Sequence, residues 1–151
     1  MIFWIPIVVV ILDQLTKALI MANLPIKQGL SVMPCFNLVH VMNRGVSFSF
    51  LTSDSPAMPW ILTAFALGVC GLITCWMKHE KDTFTKVGLS LVLGGAIGNV
   101  VDRVRFGAVV DFLDFYVGDW HWPAFNVADS AICIGVALII IRSFQKKENK
   151  K

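Results

Sequence analysis

Charge is scarce in this chain: Asp, Glu, Lys and Arg make up 15% of its 151 residues, against a hydrophobic share of 56%. A soluble domain carries about 25% charged residues, so a surface built for water is excluded and the apolar excess points to a bilayer. The mean hydropathy of +0.72 agrees. Cysteine is sparse as well. Cys35, Cys70, Cys75 and Cys133 form no Cys-x-x-Cys pair, and three of them lie inside apolar runs. That pattern argues against a disulfide framework and against a zinc site. His40, His79 and His121 are scattered without metal-ligand spacing, so no metal and no cofactor is expected. The net charge of +3 lacks the basic–aromatic clustering of a nucleic-acid surface, which removes nucleic acid from the expected partners.

What the chain has is length of apolar run. A membrane span needs about 20 mostly apolar residues, and four stretches qualify, at about 2–22, 57–77, 84–101 and 124–141. The second carries no charge at all, whereas the first is interrupted by Asp13, Gln14 and Lys17. The first has neither a basic n-region nor a small-x-small cleavage site, so it reads as a permanent helix and not as a cleaved leader. The expected fold is an all-α integral membrane protein, one domain of four transmembrane helices, with a small β-rich cradle on the outer membrane face.

Basic residues set the orientation. The connection at 78–83 and the start of the next helix carry Lys78, Lys81 and Lys86, and the tail at 142–151 carries Arg142, Lys146, Lys147, Lys150 and Lys151. Both segments are expected in the cytoplasm, with both termini inside and the loops 23–56 and 102–123 outside. Pro56, Pro59, Trp60, Trp120 and Trp122 fit the outer interface, where amphipathic aromatics prefer to sit. Within the outer loops, Asn37–Leu51 and Phe106–Val117 are rich in β-branched and aromatic residues, the signature of extended chain. The tail Gln145–Lys151 is expected to be disordered.

This topology gathers polar residues at one membrane face. The third helix ends outside and the fourth begins outside, so Asn99, Asp102, Arg103, Asp111, Asn126 and Asp129 share a level, with Asp13, Lys17, Asn43 and Arg44 nearby. Gly95, Asn99 and Arg103 recur at every fourth position and stripe one helix face. Ser90, Gly94 and Gly98 mark another face with small residues that allow close helix approach in lipid. Asn126 can cap the fourth helix. A carboxylate within a bilayer helix costs about 2.5–3.5 kcal/mol at mid-depth on insertion scales, less near the interface. Two of them together, Asp111 and Asp129, make acid–base chemistry the leading reading.

Five segments carry a family resemblance. Asp13-Gln-Leu-Thr-Lys17, Asn43-Arg-Gly45, Gly94-Gly-Ala-Ile-Gly-Asn-Val-Val-Asp-Arg103, Val109-Val-Asp-Phe112 and Phe125-Asn-Val-Ala-Asp-Ser130 resemble, in order, the blocks of bacterial lipoprotein signal peptidase (signal peptidase II). Ser47 stands where many members have alanine. The resemblance implies an intramembrane aspartic endopeptidase of the bacterial cytoplasmic (inner) membrane, without a cofactor. Its implied partners are membrane lipids and diacylglyceryl-modified prolipoproteins, which it cuts before the lipidated lipobox cysteine. It puts Asp111 and Asp129 on the catalytic pair and Asn43, Asn99, Arg103 and Asn126 on substrate-contacting positions. Asp13, Lys17 and Gly45 fall on supporting positions, and a monomer is expected.

Plainer readings stand beside these. Asp13 and Lys17, at i and i+4, make an ion pair that eases insertion. Asp102 reads as structural, in an interfacial pair with Arg103. Asp114 and Asp119 read as solvated loop acids, and Asp54 as a turn residue. The rival function is a small proton-coupled transporter or ion channel, since such proteins also use intramembrane Asp, Asn and Lys. A conduction path, however, needs polar stations through the whole bilayer, and the second run supplies none.

Overall fold

The computed structural model describes residues 2–45 and 57–148. Its elements run α1 (Trp4–Asn23), β1 (Gly29–Met33), β2 (Phe36–Asn43), α2 (Met58–His79), α3 (Thr83–Phe106), β3 (Val109–Val117), β4 (Trp120–His121) and α4 (Val127–Glu148). All four helices are long and apolar enough to cross a membrane. With the small antiparallel sheet, this is the fold class the sequence points to.

Local chemistry explains the helix ends. Pro6 and Pro59 sit in the first turns of α1 and α2, where a missing N–H costs nothing. Asp82 caps α3 by accepting from Thr85 N–H at 2.9 Å. Gly107 stops α3 in the left-handed region at φ 67°, its N–H donating to Arg103 O. The helix therefore runs five residues past the expected end at 101. At α4 the start is later than expected, because Phe125 pairs with Leu113 of β3 in extended chain and only then does the helix begin. The tail expected to be disordered is helical through Glu148, steadied by Arg142 against Asp82 and Lys146 near Glu80.

The third helix is the hub, packed against each of the other three helices, whereas α2 touches α3 alone among the described elements. Small residues make the contacts close. A Cβ on Gly88 would lie 2.8 Å from Gly135 O, and one on Gly135 would lie 2.5 Å from Gly88 O, so α3 and α4 meet backbone to backbone. A Cβ on Gly94 would lie 2.8 Å from Val9 Cβ of α1. Large apolar side chains such as Ile11, Leu15, Phe65 and Leu72 point outward. In water so wide an apolar surface would be a liability; in hydrocarbon it is the required solvent face.

The sheet is antiparallel throughout, in the order β1-β2-β3-β4. Val41 lies opposite Asp111 and Asn43 opposite Val109, with an irregularity between Leu38 and Val41. The first strand, Gly29–Met33, escaped the sequence reading, which looked for extended chain from Asn37 on. Extended chain expected beyond Gly45, with Ser47, Phe48, Phe50 and the Asp54 turn, lies outside the described residues.

Candidate active site

Building the site starts from a cation that water cannot reach. Lys17 on α1 is 1% exposed and donates to Asp13 Oδ2 at 2.8 Å, Asp102 Oδ2 at 2.8 Å and Asn99 Oδ1 at 3.1 Å. An ammonium has three donors and no acceptor, so its capacity is filled. Burying a charge is tolerable only with such pairing. The two acids are satisfied in turn. Asp13 Oδ1 accepts the Ala128 N–H at the head of α4, at 2.9 Å. Asp102 accepts from Gln14 at 2.8 Å and from the Val110 N–H at 3.1 Å. One buried ionic knot thus ties α1, α3, β3 and α4 together. Gly98 makes room for it, since a Cβ there would lie 2.7 Å from Asp13 Oδ2.

From this knot three carboxamides reach two further acids. Asn99 donates through Nδ2 to Asp129 Oδ1 at 2.8 Å. Asn126 is the N-cap of α4, its Oδ1 accepting the Asp129 N–H at 2.9 Å while Asp129 Oδ2 accepts the Asn126 N–H at 3.3 Å. That reciprocal arrangement is a capping box with aspartate in the glutamate position. Asn126 Nδ2 also donates to Asp111 Oδ1 at 2.7 Å, and Asn43 Nδ2 donates to Asp111 Oδ2 at 2.9 Å. Every oxygen of Asp111 and Asp129 therefore receives a hydrogen bond from an N–H.

Asp111 sits in β3 and is 2% exposed. Burial pushes its carboxyl up to about 6, the hydrogen bond from Asn43 opposes the rise, the nearby Asp129 charge adds to it, and Asn126 and Lys17 oppose it. Arg103, half-buried, donates to Asn99 O at 3.5 Å and faces the charges of Asp129, Asp102 and Asp111. Gly45 adopts φ +96° and donates its N–H to Asn43 Oδ1 at 2.8 Å. A side chain there would be strained and would meet Leu62, so the position needs glycine. A cavity of about 340 Å³ opens beside Asp111, lined by Val41, Met42, Asn43, Arg44, Asp111, Pro123 and Ala124.

All nine residues singled out from the sequence thus belong to one neighbourhood, linked through hydrogen bonds and electrostatics. Asp102 departs from its expected pairing: its cation is Lys17, not the adjacent Arg103. Asp114 departs too. It is 7% exposed, not solvated, and accepts from Asn37 at 2.9 Å while facing His121 Nδ1 at 2.8 Å. Asp119 is exposed, as a loop acid should be. Gln14 was missed as a partner of the knot. Its position beside Asp13 in an apolar run was the available signal.

Relatives carry the same architecture. A family model described as signal peptidase (SPase) II matches residues 5–145. The chain is 47% identical over 148 residues to the lipoprotein signal peptidase of Pseudoalteromonas atlantica, covering 97% of this chain and 90% of that protein. It is 44% identical over 152 residues to that of Vibrio vulnificus, covering 98% and 90%. Two solved bacterial membrane enzyme structures, obtained by the in meso method at 2.3 and 1.9 Å, superpose with TM-scores of 0.87 and 0.82. They are 32% and 31% identical, covering 99% and 93% of this chain and 91% and 90% of their own. A membrane-spanning bundle with Asp13, Asp102, Asp111 and Asp129 gathered at one end, matched along nearly its whole length, belongs to the signal peptidase II family.

Proposed function

We propose that this chain removes the signal peptide from diacylglyceryl-modified prolipoproteins, cutting before the lipidated cysteine, with Asp111 and Asp129 as an aspartic dyad. The observation that carries the reading is the set of amide donors converging on two neighbouring acids, one of them pushed up to about 6. Hydrolysis needs one group to take a proton from water and another to give one to the departing amine. Like charges in a poorly solvated site resist ionising together, so the pair holds a single proton. In this reading Asp111 carries it. Asp129, at the positive end of the α4 dipole with an N–H on each oxygen, is the ionised member that activates water. Asn43, Asn99, Arg103 and Asn126 contact substrate.

The enzyme works at the extracytoplasmic face of the bacterial inner membrane, with both termini in the cytoplasm. Support comes from the opposite end of the bundle, where Lys78, Lys81, Lys86 and Lys146 cluster around the α2–α3 turn and the end of α4. A cysteine tethered by its acyl chains lies at the outer interface, and a dyad held at that depth turns lipid anchoring into positioning. One chain supplies every site residue, which suits a monomer. The transporter reading finds no support among the relatives.

The test is direct. Purified protein in detergent is given a diacylglyceryl-modified prolipoprotein, and release of the signal peptide is followed for wild type, Asp111→Asn and Asp129→Asn. Each substitution is expected to slow cleavage about 10²–10⁴-fold, the range of a lost acid–base group, while the protein still inserts. Near wild-type turnover in either variant overturns the assignment.

A further inference from the structure

Three of the four donors that meet the two acids come from carboxamides, and a carboxamide can be turned either way round. Turned over, each would present an oxygen to a carboxylate and forfeit the hydrogen bond. What fixes them is on the far side of each amide. Asn126 Oδ1 faces the Asp129 N–H, and Asn43 Oδ1 faces the Gly45 N–H, both backbone donors that cannot accept. Asn99 has no such backbone partner on its oxygen. Its Oδ1 faces the Lys17 ammonium and Asn126 Nδ2, and only Nδ2 remains for Asp129. Lys17 can play that part because Asp13 and Asp102 hold its other two donors, leaving one aimed at Asn99.

We propose that Lys17 is a positioning residue for the dyad: it locks the Asn99 carboxamide with its nitrogen toward Asp129, which keeps Asp129 the proton-accepting member. This rests on the dyad reading above. Lys17 touches no reacting atom, so its influence passes through Asn99 and through its own field. The charged groups facing Asp129 are Lys17 and Asp13 from α1, Arg103 from α3 and Asp111 from β3. A Lys17 that only held α1 against α3 would still act on Asp129 through its field, but independently of Asn99.

The pH profile of kcat/KM on a diacylglyceryl-modified prolipoprotein separates these roles. Its acid limb reports protonation of the ionised acid. Asn99→Leu removes the donor from Asp129 and is expected to move that limb up by about one pH unit. Lys17→Met is expected to move it at least as far, and the two shifts to sum to more than the double variant shows, because both act on one hydrogen bond. Unmoved limbs, or shifts that add fully, overturn the proposal. Should Lys17→Met not fold, judged by thermal unfolding in detergent, the Lys17→Arg profile replaces it. Its guanidinium keeps the charge but not the single ammonium donor aimed at Asn99, so the limb must again rise, and an unmoved limb refutes the positioning role. Asp111→Asn and Asp129→Asn run alongside: cleavage by either sinks the dyad reading, whereas their inactivity with unmoved limbs sinks only the role of Lys17.

Discussion

The two ends of this bundle use the same residue types to opposite effect. At the α2–α3 turn, Asp82 faces Arg142 through a bidentate pair at 2.8–3.2 Å, and that guanidinium holds its carboxyl far below the usual carboxylate range. The pair is partly open to water. At the other end Asp111 is buried, meets amides instead of a cation, and is pushed up to about 6. A full opposite charge fixes an acid in one state. Neutral donors orient it and leave it able to exchange a proton. The knot of Lys17, Asp13 and Asp102 shows both devices side by side: its cation is committed to the two structural acids, and only a relayed amide reaches Asp129.

The sharpest way to break this contrast is to unpair the buried end. Lys17→Met leaves Asp13 and Asp102 without their cation and is expected to cost about 3–5 kcal/mol, the usual penalty for an uncompensated buried charge, read as a fall in unfolding temperature in detergent. A gentler disturbance is Gly98→Ala. Its methyl would press on Asp13 Oδ2 at 2.7 Å, and overpacking of this kind costs about 1–3 kcal/mol. Thermal unfolding should show that loss together with reduced cleavage; unchanged values would mean that α1 and α3 have slack the geometry does not show.

Titration sharpens the contrast from the other side. The folded Asp111 value of about 6 lies above its ordinary 3.8, so the native state binds this proton more tightly than the unfolded chain. Its contribution to stability therefore falls as pH rises from 3.8 through about 6. Activity that needs the proton is lost over the upper part of the same window. Asn43→Ala removes the donor that holds the value down, so the alkaline limb of kcat/KM should move upward, by up to about one unit. A downward move would contradict the cause assigned to it. At the opposite end Arg142→Ala should give the smallest effect: unchanged kcat/KM and a slight loss of thermal stability, since partly exposed pairs contribute little.

How much of this was legible in the residue order depends on the range over which each feature is decided. The apolar runs are local, and so four spans could be read from composition alone. Asp129 and Asn126, three apart, announced a shared helix face. The partner of Lys17 could be read only by half: Asp13 is one turn away, but Asp102 is brought in by the packing of α1 on α3. The burial of Asp114 was hidden for the same reason, because Asn37 and His121 reach it across strands. Helix ends slipped where tertiary pairing overrode the run of apolar residues. Phe125 reads as the start of a span, yet it joins Leu113 in the sheet and hands Asn126 to Asp111.

The most direct test of the shared proton is infrared spectroscopy of the protein in lipid, titrated through the value near 6. The account predicts one protonated carboxyl signal that disappears as pH rises through that value and is absent from Asp111→Asn. A signal that survives in Asp111→Asn, or none in wild type below that value, would contradict it.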